Sequence, residues 1–184
     1  MKSVVVFCRL TTIIDNLREP KEKMTSLHIC HINLAKGFRG GERQTWLLIN
    51  ALAQGANGQL KQTVVLRKGS PLAPMFDNMA GVSVMEITKP FFYNTIKLSG
   101  FSLIHAHESK AAHIAFMTHR LYKIPYIITR RVPNPLKNNF FTRNVYVRAN
   151  KVVAISKEIK RLLSIYDNRI PLDVIYSSFA GLPV

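Results

Sequence analysis

Acidic residues are scarce in this 184-residue sequence: ten Asp and Glu stand against 26 Lys and Arg, a formal net charge of +16. A field of that sign draws polyanions, among them nucleic acid, anionic lipid headgroups and phosphorylated glycolipids, and charge alone does not choose among them. Cysteine is scarcer still. Cys8 and Cys30 are the whole complement, which suggests neither a disulfide framework nor a zinc site. One lies in a short strand-like apolar run, where a free thiol behaves as a small buried hydrophobe. No stretch approaches the roughly 18 apolar residues that a membrane span needs. The Gly-x-Gly-x-x-Gly of a dinucleotide site, the Gly-Lys-Ser/Thr of a P-loop and the Gly-x-Ser-x-Gly of a hydrolase elbow are all absent. Neither a repeat period nor a biased tract is found, which excludes solenoids, collagen-like sequence and a long disordered linker.

What is there suits one ordinary core, since 47% of the residues are hydrophobic and 20% charged. Residues 1–23 differ from the rest. A short apolar run, Val4 to Phe7, is followed by Arg9 and then by the charged segment Arg18 to Lys23. No small-residue cleavage pattern accompanies it, so a secretory signal is not expected and the reducing cytoplasm is. Met24 stands just ahead of a clean strand pattern. The first 23 residues are read as an extension, with Met24 as the functional start or the extension poorly ordered; an added edge strand over Val4 to Phe7 is the alternative. Residues 24–184 are read as the domain.

From Leu27 onward β-rich runs alternate with helical segments. Strands are expected at Leu27 to Asn33, Gln62 to Arg67, Val82 to Ile87, Leu103 to Ala106, Tyr126 to Thr129, Lys151 to Ile155 and Leu172 to Tyr176. Helices are expected at Glu42 to Gln54, Lys110 to Tyr122, Asn139 to Arg148 and Lys157 to Tyr166, the last capped by Ser156. A short helix at Pro71 to Met79, opened by Ser70-Pro71, and a turn near Thr95 to Leu98 complete the pattern. Continuous apolar strands such as Val152-Val153-Ala154-Ile155 belong to parallel sheets covered on both faces, so the class is α/β, doubly wound and mostly parallel. Such sheets bind ligands at the carboxyl ends of their strands.

Four segments lie at those ends. In Lys36 to Gln44, Gly40 and Gly41 let a backbone approach a ligand closely, and the free amides of a helix start suit a diphosphate; a plain glycine-rich turn is the alternative. In Ser102 to Lys110, an apolar strand runs into His105, His107 and Glu108. Alternation puts both histidines on one face with His107 nearer the rim. A metal would need a third and fourth ligand, and none is evident. His107 therefore reads as a hydrogen-bonding or proton-shuttling group, or as a turn cap, and His105 as a satisfied core histidine. In Ile128 to Pro133, Arg130 and Arg131 offer bidentate recognition of phosphate or carboxylate, or else form a solvated basic loop. In Val153 to Lys157, Ser156 reads foremost as a helix cap.

These four segments, in this order, resemble the N-terminal domain of glycosyltransferase family four, a retaining GT-B family that includes lipopolysaccharide-core and phosphatidylinositol mannosyltransferases. The matching features are Gly40-Gly41 after the first strand, the strand ending Ile104 to Glu108 with its His-x-His, and the Val152 to Ser156 segment. The resemblance runs from about Leu27 to Tyr176. Where the family often reads Gly-Gly-x-Glu, Glu42 follows Gly41 directly, and Thr129-Arg130-Arg131 stands where many members carry a histidine.

The resemblance implies a Rossmann-like GT-B half and metal-independent transfer with retention, with no cofactor beyond a nucleotide-sugar donor. It implies that Gly40, Gly41, Glu42 and Glu108 bind substrate, that His107 is catalytic, and that Arg130 and Arg131 hold an anionic glycolipid acceptor resembling lipopolysaccharide core. The family's donor-binding second domain is expected to be missing after Ser177-Ser178-Phe179, supplied separately if at all, so turnover by the chain alone is not expected. Attachment to an anionic membrane surface, on the inner face, is a further expectation. The competing class is a basic nucleic-acid-binding or partner-binding module, against which stands the lack of any recognisable nucleic-acid motif and the scatter of the basic residues.

Overall fold

Apolar runs of four to eight residues, too short for helices and rich in Val, Ile and Leu, pair as parallel strands when helical segments return the chain between them. In the computed structural model, which describes residues 27–55 and 60–176, seven such runs form one sheet. They are β1 (Leu27–Asn33), β2 (Leu60–Arg67), β3 (Val82–Ile87), β4 (Leu103–Ala106), β5 (Tyr126–Arg130), β6 (Lys151–Ala154) and β7 (Leu172–Val174). Their order is β3-β2-β1-β4-β5-β6-β7, and every neighbouring pair is parallel. The expected Val4 to Phe7 strand and the Met24 start lie outside the described residues.

Four helices connect these strands: α1 (Gly40–Gly55), α2 (Ser109–Tyr122), α3 (Phe140–Val147) and α4 (Lys157–Tyr166). Each of the last three starts where a polar side chain takes up free amides of the first turn. Glu108 accepts from Lys110 and Ala111, Asn139 from Thr142, and Ser156 from Ile159. The end of α2 is set by Lys123, whose backbone is left-handed (φ 60°) and whose N–H bonds back to His119.

The expected helix over Pro71 to Met79 is shorter and tighter. Only a four-residue 3-10 turn forms, Ala73–Phe76, with Pro74 inside it. Ser70 does not cap a helix there; its hydroxyl accepts the Leu72 amide in a local turn, the competition that short polar side chains offer the backbone. The turn expected near Thr95 to Leu98 is longer, a 3-10 segment that runs from Phe91 to Leu98.

Alternation along the central strands sorts residues between two covered faces. Cys30, Ile32, Ile104, Ala106, Ile128 and Val152 pack in the larger cluster with residues of α2, α3 and α4. The opposite side chains, Ile29, Leu103, Ile127 and Val153, pack with Leu52 of α1, while Ile49 of α1 meets Val64, Leu66 and Phe76. The class is therefore the expected α/β one. The chain order reverses between β1 and β4, and that switch point is where this architecture leaves a crevice for ligands.

Candidate functional site

The α1 face of the central strands is not purely apolar. Gln62 of β2, His31 and Asn33 of β1, His105 of β4 and Thr129 of β5 are buried on it, together with His107 just past the end of β4. Isolated polar groups in such a place are costly, so each must find a partner. Asn33 donates to Thr45 of α1 at 3.0 Å, and His105 Nε2 lies 2.8 Å from the Thr129 hydroxyl. His31 places Nε2 3.1 Å from Gln62 Oε1 and Nδ1 3.1 Å from His107 Nε2. The three imidazoles lie close together, with the His105 and His107 rings tilted and their centres 4.0 Å apart and the His31 and His107 rings stacked at 5.3 Å.

Arg131 closes this cluster at the rim. Its guanidinium grips His107 twice, Nη1 donating to the backbone carbonyl at 2.8 Å and Nη2 lying 3.1 Å from ring Nδ1. Its aliphatic stem passes Gly41: a methyl group added there would meet Arg131 Cδ at 3.8 Å. Arg131 Nε is buried without a hydrogen-bond partner. Burial lowers the guanidinium to about 10, while the charge of Glu42 acts in the opposite direction. All three histidines are held neutral. Burial brings His31 down to about 4 against a smaller upward pull from its bond to Gln62. Burial first, then the neighbouring imidazoles and Arg131, hold His105 and His107 well below the ordinary range.

Three histidine nitrogens within 4.8 Å of one another also have the spacing of metal ligands, so the third ligand that seemed to be missing exists in His31. It was hidden because it lies on another strand. The donor chemistry nevertheless disfavours an ion. A guanidinium has no acceptor, so His107 Nδ1 must offer its lone pair to Arg131 and the ring proton sits on Nε2. Nε2 is the atom that would have to ligate. A dication beside a buried guanidinium, with no carboxylate in the cluster, adds an unfavourable charge term.

The other expected site residues divide between this rim and purely local work. Gly40 and Gly41 form the first turn of α1, and neither has a left-handed backbone, so the glycine at 41 is not demanded by its φ angle. What it leaves is room above the helix start, beside Arg131. Glu42 turns back to accept the Arg39 amide at 2.7 Å. Glu108 spends both carboxylate oxygens on the first amides of α2, at 2.7 and 2.9 Å. Arg130 is buried and faces away from Arg131: it donates to the Ser109 hydroxyl and to the Asn134 carbonyl. The structure thus gathers Gly40, Gly41, Glu42, His107 and Arg131 and sets Arg130 and Glu108 apart. His31 and Gln62 are the participants that sequence reasoning missed. A cavity of about 220 Å³ with apolar walls lies on the far side of Arg130, between Val132–Leu136 and α4.

No family model matches the sequence, and no curated protein does. Solved structures do resemble the chain. HepE of Anabaena, in complex with UDP-glucose, superposes with a TM-score of 0.69 at 16% identity, over 83% of this chain and 44% of HepE. The lipopolysaccharide outer core galactosyltransferase WaaB gives 0.65 at 13% identity, over 86% of this chain and 48% of WaaB. A glycosyltransferase from Rickettsia africae gives 0.61 at 19% identity, over 83% and 43%. The fold is Rossmann-like and matches GT-B glycosyltransferase structures. The chain spans less than half the length of each of these neighbours.

Proposed function

We propose that this chain is the acceptor-side half of a glycosyltransferase that moves a sugar from a nucleotide-sugar donor to an anionic glycolipid of the lipopolysaccharide-core kind, with retention and without a metal. The observation that carries the reading is the seat of Arg131: a guanidinium fixed on His107, its stem beside Gly41 in the first turn of α1, at the switch point of a doubly wound sheet. Support comes from neighbours that include HepE with UDP-glucose and the galactosyltransferase WaaB.

In this reading the amides at the start of α1 and the charge of Arg131 stabilise negative charge as it grows on the departing diphosphate or is carried by a phosphorylated acceptor. His107 works through Arg131. Both of its ring nitrogens are engaged inside the protein, so it orients the guanidinium and does not itself shuttle a proton to the sugar. A second half of GT-B type, in this chain's natural context or as a separate protein, supplies the rest of the donor site.

A peripheral position on an anionic membrane surface fits the net charge of +16 and the exposed Phe140, flanked by Lys137 and Arg143. Among the described residues no helix is long and apolar enough to cross a membrane. The direct test is retention of phosphorylated lipopolysaccharide-core oligosaccharide against its dephosphorylated form. The native chain should favour the phosphorylated form and Arg131→Leu should lose the preference; equal retention of both by the native chain refutes an anionic acceptor.

A further inference from the structure

The contacts around His107 extend into one unbroken chain across β5, β4, β1 and β2: Arg131, His107, His31, Gln62 and the Ile49 carbonyl of α1. Both ends of this chain are chemically irreversible, because a guanidinium can only donate and a backbone carbonyl can only accept. Arg131 Nη2 must therefore donate to His107 Nδ1. The proton of neutral His107 is then on Nε2 and is given to His31 Nδ1. His31 in turn carries its proton on Nε2 and gives it to Gln62 Oε1, and the Gln62 amide donates to Ile49 at 3.2 Å. Every proton has one possible position.

Stability alone gives little reason for this arrangement. Gln62 and His31 occupy core positions in β2 and β1 among Val64, Leu66 and Ile29, and a buried polar chain is at best break-even against apolar residues of the same shape. What the chain achieves is at its rim end. If His107 were to take the other tautomer, its Nδ1–H would face the Arg131 Nη2–H, donor against donor, and the guanidinium would be left with only its bond to the His107 backbone carbonyl. His31 prevents this by offering His107 Nε2 an acceptor, and it can offer one only while Gln62 Oε1 takes up its own proton.

We infer that His31 and Gln62 are positioning residues for Arg131, holding His107 in the single tautomer that anchors the guanidinium beside Gly41. The functional half of this inference rests on the proposed glycosyltransferase reading, in which Arg131 faces an anion; the hydrogen-bond direction does not.

The two can be tested apart on the intact chain. Long-range nitrogen–proton NMR of histidine rings at pH 7.5 reads tautomers directly, and His107 and His31 are both expected as Nε2–H. An Nδ1–H form of either ring in the native chain overturns the inference without any variant. The second measurement compares His31→Leu, which removes the acceptor, with His31→Asn, whose Oδ1 can stand in for Nδ1. His31→Leu should release His107 into mixed tautomers and speed exchange of the Arg131 side-chain protons about 10-fold, as loss of a buried partner implies, with His31→Asn restoring most of the protection. Unchanged Arg131 exchange in folded His31→Leu overturns the positioning role. Titration with inorganic pyrophosphate completes the set: affinity should fall about 10-fold in His31→Leu and recover in His31→Asn. A native chain with the expected tautomers and protection that ignores pyrophosphate upholds the relay and contradicts the anion-binding rim.

Discussion

Acid should unfold this protein earlier than its few carboxylates would suggest, because three neutral histidines sit in the sheet. In an unfolded chain each imidazole takes up a proton near pH 6.5. In the folded chain His31 is held at about 4 and His105 and His107 well below the ordinary range, chiefly by burial. Below pH 6.5 the unfolded state therefore binds more protons than the folded one, and stability falls as pH falls. At pH 5.5 the difference for a ring kept neutral is RT ln(1 + 10), roughly 1 kcal/mol, so the three together cost several kcal/mol and more by pH 5. That is a large part of the roughly 5–15 kcal/mol that holds a domain together. Asp167, pulled down to about 2 by its bonds to Arg169, loses its contribution only below about pH 4, so the windows separate. Urea unfolding at pH 7.5, 6.5 and 5.5 can be followed through Trp46, the single tryptophan, whose indole donates to the Met75 carbonyl at 3.1 Å. A loss under about 1 kcal/mol between pH 7.5 and 5.5 would refute the burial of three neutral imidazoles.

Three further outcomes are expected. Asn139→Ala and Ser156→Ala each remove a helix cap and should cost about 1 kcal/mol in urea unfolding; no loss in either would mean that these side chains do not cap. Cys30 is fully buried with its thiol pushed up, so peptide mapping after iodoacetamide should find it unmodified in the native chain and alkylated once urea unfolds it. The two adjacent arginines should separate. Arg130→Leu should lower the melting temperature by several degrees, since it strands the Ser109 and Asn134 partners, whereas Arg131→Leu should weaken pyrophosphate binding at least as much as it weakens the fold.

The strands and four helices were legible because their signals are local: apolar runs, a 3.6-residue period, and the capping side chain at Ser156. Even the split between Arg130 and Arg131 follows from a local rule. Successive side chains on a strand point to opposite faces, which sends Arg130 toward Ser109 of α2 and Arg131 toward Gly41 of α1. The His31 relay was not legible, because it depends on which strands are neighbours and in what register. His31 aligns with His105 only once β1 and β4 pair, and Gln62 enters from β2 on the other side. The capping role of Glu108 is local as well: its backbone precedes a helix, and the free amides of that helix take up its carboxylate. The 3-10 turn at Ala73–Phe76 was overread as a helix because proline and serine signal a helix start but say nothing of how far it continues.

On the proposed function, the rim formed by the start of α1 and Arg131 receives the phosphates of a sugar-transfer reaction. Titration of the nitrogen-labelled chain with UDP-glucose, read residue by residue by NMR and paired with a uridine titration, tests it most directly. Shifts should centre on the Gly40 and Gly41 amides, Arg131 Nε and the His107 ring, and should appear with UDP-glucose and not with uridine. Shifts confined to the apolar cavity between Val132–Leu136 and α4, or the same shifts with uridine alone, would contradict it.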